Sequence, residues 1–160
     1  GTVEMIVVRP DVDRRREVEK ARIDEGQGVV GDNWQERGSS STPDGSANRL
    51  AQVTLMNSRV VDAVAGDSSR WPLAGDQLYV DLDLSPEALP AGTRVRVGSA
   101  VLEVSDKPHT GCAKFASRYG REALRFVNTG LGREKRFRGI NAFVVQSGDV
   151  ATGDEISKVG

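Results

Sequence analysis

Cysteine and histidine each occur once in these 160 residues, as Cys112 and His109. A single cysteine excludes an internal disulfide framework, and two Cys or His side chains fall short of the four ligands that a structural zinc site takes. Aromatic residues make up only 5%, so the interior has to be built from Val, Leu, Ile and Ala, and β-branched valine favours strands. Neither sign of charge dominates: 22 basic residues face 23 acidic ones, a net charge of −1. That balance supplies no global field to gather nucleic acid or an anionic membrane, so any anion site has to be local. The apolar runs are far too short to span a bilayer. The opening GTVEMIVVRP carries neither a basic leader nor a cleavage site. The expectation is a protein of a soluble, reducing compartment, the cytoplasm, with no nucleic-acid and no membrane partner.

The chain has the length of one domain with a single core. VEMIVV at 3–8 reads as a first strand, closed by Arg9-Pro10. RRREVEKARID at 14–24 carries too few apolar residues for a firm helical stripe and reads equally as a solvated strand or hairpin arm. QERGSSSTPDGSAN at 35–48 has almost nothing to bury and is expected to be a mobile loop. LAQVTLM at 50–56 is a buried strand, followed by a short helix capped by Asn57 or Ser58 and ended by Gly66. QLYVDLDL at 77–84 alternates like a half-buried strand. TRVRVGSAVLEVS at 93–105 gives two strands around Gly98-Ser99. FASRYGREALRFVN is helical but broken at Gly120, and INAFVVQSGDVATGDEI closes the chain with strands around Ser147-Gly148-Asp149. Many short strands with hairpin turns and two or three short helices point to a barrel or sandwich-like β core.

Three segments carry candidate chemistry. In DKPHTGCAKFASRYG, 106–120, Cys112 follows Pro108 and Gly111 where a helix begins, with Lys107, His109 and Lys114 close in sequence. A helix N-terminus and cations both stabilise a thiolate, which suits a nucleophile or a soft metal ligand. The competing reading is a small buried hydrophobe, a common state of free cysteine. In GVVGDNW, 28–34, glycines let backbone amides face an anion and Asp32 can orient a basic group, unless the stretch is an ordinary turn. In GREKRFRGINAF, 132–143, Arg133, Lys135, Arg136 and Arg138 form a local basic cluster that either grips a phosphate or lies on a solvated face.

Taken together and in this order, GVVGD at 28–32, QVTLMNSRVVDAV at 52–64, LPAGTRVRVGSAVLEVS, KPHTGCAKF around Cys112 and RGINAFVVQSGDVATGDEI resemble the MOSC family, named for the C-terminal domain of molybdenum cofactor sulfurase. The resemblance covers about 28–156 of a single domain spanning 1–160. It implies a mainly β, barrel-like fold of the pyruvate-kinase β-barrel type with a few short helices. It also implies a molybdenum or sulfur role for Cys112. As metal ligand, Cys112 would bind the molybdenum of a pterin cofactor, with Lys107, Lys114, Asp32, Arg138 and Asn141 as cofactor contacts and His109 tuning the thiolate. Such a protein would serve an oxidoreductase acting on a small N-hydroxylated substrate, with electrons from a donor protein. The alternatives are a persulfide carrier served by a sulfur-donor protein, and a non-catalytic anion-binding domain. The sequence departs from the family at GDQLYV, 75–80, where many members have a Gly-Glu-Asn-Leu-like stretch, and at Asn33-Trp34, where a basic residue and histidine are frequent.

Overall fold

Short strands joined by tight turns follow from a valine-rich, glycine-punctuated chain. In a computed structural model, which describes residues 1–159, the strands are β1 (Thr2–Val8), β2 (Arg16–Val18), β3 (Lys20–Asp24), β4 (Gly28–Val29), β5 (Val53–Asn57), β6 (Leu78–Asp81), β7 (Arg94–Val97), β8 (Ala100–Val104), β9 (Ile140–Gln146), β10 (Gly148–Ala151) and β11 (Ile156–Lys158). The helices are α1 (Trp34–Arg37), α2 (Ser58–Ala65), α3 (Ala113–Tyr119), α4 (Arg121–Asn128) and α5 (Gly130–Glu134).

Eight strands form one curled sheet in the order β11-β7-β8-β9-β5-β6-β1-β2, and β10-β3-β4 form a second, smaller one. Val3, Ile6, Leu55, Leu78 and Leu102 of the large sheet share one core with Ile23, Val29 and Val150 of the small sheet. This is the barrel-like, mainly β architecture with few helices. All pairings are antiparallel except β5 with β6, where Leu55 sits opposite Leu78. The crossover joining that parallel pair runs through α2 and a tight 3₁₀ segment, Ser68–Ala74.

The central strands are covered on both faces. Met5, Val7, Met56 and Tyr79 point away from the barrel and meet Val61 of α2, Phe115 of α3 and Val127 of α4. The stretch 77–84 therefore differs from the half-buried strand its alternation suggested: Gln77, Leu78, Tyr79 and Val80 are all fully buried. The 14–24 segment resolves into two strands, β2 pairing with β1 and β3 with β10. β9 and β10 flank Ser147 but enter different sheets, so Ser147 marks a crossing between sheets. Within 35–48, the end of α1 is followed by loop, and the preceding Trp34 is buried with its indole N–H donating to Asn48 O.

Local signals act where they occur. The Asn57 side chain accepts from the Arg59 amide at 2.8 Å, and Gly66 ends α2 in the left-handed conformation. α3 and α4 meet at Gly120. Gly98 turns β7 into β8 at φ 58°, and a Cβ there would lie 2.2 Å from Asp149 O. Only glycine fits such a position without backbone strain.

Candidate functional site

The segment between β8 and α3 holds His109 and Cys112, and two asparagines pin it. Asn141, at the start of β9, donates its amide to Lys107 O and Pro108 O at 3.1 and 3.2 Å. Asn128, the last residue of α4, donates to Gly111 O at 3.0 Å and accepts from the Gly111 amide at 2.8 Å. A side chain at 111 would meet Leu124 Cδ1 at 2.7 Å, so glycine lets α4 close on the loop. Each end of the loop is thus fixed by an amide that mimics a backbone partner.

Two buried carboxylates organise the charges behind the loop. Asp76 accepts from His109 Nε2 at 2.8 Å through one oxygen and from Arg138 through the other. Arg138 also donates to Ala74 O at 2.8 Å and stacks on the Phe115 ring, its guanidinium carbon 5.0 Å from the centroid. Burial opposes the ionised form of Asp76, but Arg138 and His109 outweigh it and hold the carboxyl far below its ordinary range. Burial and the nearby Arg138 charge push His109 below its ordinary value, against the pull of Asp76. A neutral ring facing a carboxylate presents Nε2–H to Asp76, which leaves Nδ1 as an acceptor. Gly139 makes this arrangement possible: at φ 123° it turns the chain between Arg138 and β9, and a Cβ would sit 2.2 Å from Leu55 O.

Asp32 does for Arg9 what Asp76 does for Arg138. Its two oxygens accept from Arg9 Nε and a terminal nitrogen at 2.9 and 2.8 Å. The Arg9 and Trp34 amides and the Gln77 side chain also donate to it. Burial raises its pKa, but these bonds and the Arg9 charge bring it below the usual carboxylate value.

Cys112 opens onto a cavity of about 210 Å³. Seven cationic side chains line that cavity. Arg9 and Arg138 are matched by Asp32 and Asp76, and Asp11 and Asp13 in the lining offset two more, which leaves three positive charges without a counter-charge. Among the described residues Arg14, Arg15, Arg37 and Lys114 join no ion pair, and Arg118 meets only the exposed Asp13 at 3.6 Å. Partial burial raises the Cys112 pKa, but the Phe115 and Lys114 amides and the Arg138 and Arg118 charges reverse it, so the thiol sits below its ordinary value. The sulfur closes no capping hydrogen bond on α3; the two amides act on it as oriented dipoles. The thiol is therefore exposed and acidified, not a buried hydrophobe.

A second cavity, about 530 Å³, is lined by residues 105–110, and His109 and Arg138 reach both. Lys107 and Asn141 line the larger one, Lys114 the smaller. Asp32 lines neither, and its side chain is fully enclosed behind Arg9. Of the basic cluster at 133–138, Arg133, Arg136 and Arg138 line the larger cavity, Arg136 also donating to Leu84 O and Leu89 O and Arg138 turning inward to Asp76, while Lys135 pairs with Glu87 at 3.0 Å. Sequence reasoning missed Arg9, Arg15, Arg118, Asp76 and Asn128. Arg118 had a visible signal, since Lys114 and Arg118 lie four apart on one helix and so share a face.

The model of the MOSC domain matches residues 43–157. The chain belongs to the MOSC domain family. Among solved structures, this MOSC protein is similar to the YuaD protein from Bacillus subtilis, with TM-score 0.64 and 19% identity over 97% of this chain and 93% of that one. It is also similar to YiiM from Escherichia coli, with TM-score 0.63 and 18% identity over 100% of this chain and 70% of that one. YiiM from Geobacillus stearothermophilus gives TM-score 0.59 and 15% identity over 99% and 75%. At these identities the likeness concerns the fold alone. No curated protein matches the chain. No helix among the described residues is long and apolar enough to cross a membrane.

Proposed function

We propose that this MOSC protein binds a molybdenum pterin cofactor through the Cys112 thiolate and serves an oxidoreductase acting on N-hydroxylated compounds. The observation that carries the reading is the exposed, acidified Cys112 in a cavity with three uncompensated positive charges. A thiolate is a soft ligand suited to a metal that brings its other ligands with it. Among the described residues no three His, Cys, Asp or Glu side chains gather to hold a bare ion. The residues present fit such a group in charge: Arg15 Nε and Arg138 Nε are buried without a partner, and guanidinium is the natural partner of a phosphate.

Cys112 would supply the sulfur ligand, and Arg15 and Arg118 the phosphate contacts. When bound, the cofactor supplies two-electron oxygen-atom chemistry, with electrons from a separate donor protein. The chain's own part is to keep Cys112 ionised, to hold Arg138 and His109 in place through Asp76, and to offer His109 Nδ1 as a proton acceptor. The test is purification from a host that makes the pterin cofactor, with assays for molybdenum, pterin fluorescence and cyanide-releasable sulfur. Stoichiometric molybdenum that disappears in Cys112→Ser is expected; a metal-free protein from that host overturns the reading.

One observation favours a second reading, a persulfide carrier. The Cys112 cavity, about 210 Å³, is smaller than the roughly 300–1,000 Å³ usual for small-molecule sites. It suits a few heavy atoms around the sulfur. Cyanide-releasable sulfur without molybdenum in the same assay is its signature.

A further inference from the structure

The Cys112 cavity combines small size, an exposed thiol and an excess of positive charge, with Arg14, Arg15, Arg37 and Lys114 joining no ion pair among the described residues. Arg138 is nine-tenths buried, with a side-chain exposure of 9%, lines the cavity, and has an Nε with no hydrogen-bond partner. Arg15 is half-buried, and its Nε is likewise enclosed without a partner. A terminal nitrogen of Arg15 and one of Arg118 both lie within 3.8 Å of one point above Gly75; burial lowers the Arg15 pKa first, repulsion from Arg118 lowers it further, and the exposed Asp13 opposes them only in part. Such a pair is relieved by a compact, multiply charged anion.

From these observations we propose that Cys112 is loaded with sulfur directly from a small sulfane-bearing oxyanion of the thiosulfate class, held by Arg15, Arg118 and Lys114. The proposal rests on the carrier reading and names its donor. Attack of a thiolate on a dianion is opposed by like charges, and that opposition is what an excess of cations removes. The Cys112 sulfur attacks the outer sulfur of thiosulfate, and a new S–S bond forms as the bond to the sulfonate sulfur breaks. The electron pair of the broken bond leaves with sulfite, so the sulfonate sulfur is reduced and the cysteine sulfur is oxidised to the persulfide level. No other oxidant or reductant takes part. The sulfite dianion departs from the same cations, and the product persulfide remains ionised beside them. An acceptor nucleophile then takes the outer sulfur and returns Cys112 as thiolate.

The experiment uses the full chain, purified without cofactor and freshly reduced. It is incubated with thiosulfate or, separately, with inorganic polysulfide. Sulfite release and one added sulfur atom on Cys112 by mass are followed, with cyanide as acceptor. Thiosulfate is expected to load the protein, release one sulfite per persulfide and sustain thiocyanate formation, all lost in Cys112→Ser. Arg15→Ala is expected to raise the half-saturating thiosulfate concentration at least about tenfold, the loss of one charge-assisted hydrogen bond, with Arg15→Lys recovering part of it. Loading by polysulfide but not by thiosulfate overturns the proposal and leaves the carrier reading standing. Loading by neither overturns both. Thiosulfate loading that is indifferent to Arg15→Ala and Arg118→Ala also overturns it, since the chemistry would then be that of any exposed thiol.

Discussion

Asp76 and Arg138 face each other beneath the surface, their side chains 1% and 9% exposed, at the junction of the two cavities. A buried ion pair contributes little compared with an apolar pair, but cutting one partner leaves an uncompensated charge. Asp76→Ala is expected to destabilise the fold by about 3–5 kcal/mol, measured by urea unfolding. Asp76→Asn should keep the shape yet leave Arg138 without a counter-charge, and should cost nearly as much. A loss below about 1 kcal/mol in both variants would contradict the pairing.

The thiol makes a separate prediction. Because the cations and amides around Cys112 outweigh its partial burial, the pH midpoint of its alkylation by neutral iodoacetamide is expected below the roughly 8.5 of a free thiol. Added salt screens the exposed Lys114 and, less fully, the half-buried Arg118, so the midpoint should rise with ionic strength. A midpoint at or above the free value at low salt would mean that burial wins.

Acid should weaken the fold in a defined window. His109 is depressed in the folded state, so the unfolded chain takes up this proton first as pH falls through about 6.5. Asp76 is depressed too, and its unfolded counterpart protonates near 3.9. Each group therefore contributes stability that is present at higher pH and lost on acidification. Urea midpoints are expected to decline below about pH 6.5 and more steeply below about 4.5. His109→Gln should remove the upper part of that decline and leave the lower part intact.

Asn128 holds Gly111 with two hydrogen bonds. Asn128→Ala is expected to cost about 1–3 kcal/mol, and to speed amide exchange at Gly111 and Cys112. Exchange unchanged at both sites would show that the loop holds itself.

Much of this molecule is readable from its residues, and the failures have identifiable causes. The caps of α2, the break at Gly120 and the turn at Gly98 are local events written by Asn, Gly and their neighbours, so they stand where expected. The sheet to which β10 belongs is decided by β3, 125 or so positions away along the ladder partners Gly148 and Ile23, and no local pattern announces that. Tyr79 looks like the exposed face of an alternating strand until α2 and α3 are known to cover it. Cys112 and His109 stood out because each is unique. Asp76 did not, because an aspartate between glycine and glutamine looks like a turn residue. Its importance comes from full burial between the Arg138 guanidinium and the His109 ring.

Arg9 near one end of the chain and Arg138 near the other line the same small cavity. Before the last strands dock, the ribosome-fresh chain has a cysteine but no ring of guanidinium groups around it. Its sulfur then has at most the neighbouring amides of α3 to favour the thiolate, and the arginine charges reach it only when the late strands dock. The share of the thiol's acidity that comes from Arg138 and Arg118 is thus a property of the finished barrel and of no smaller piece of it.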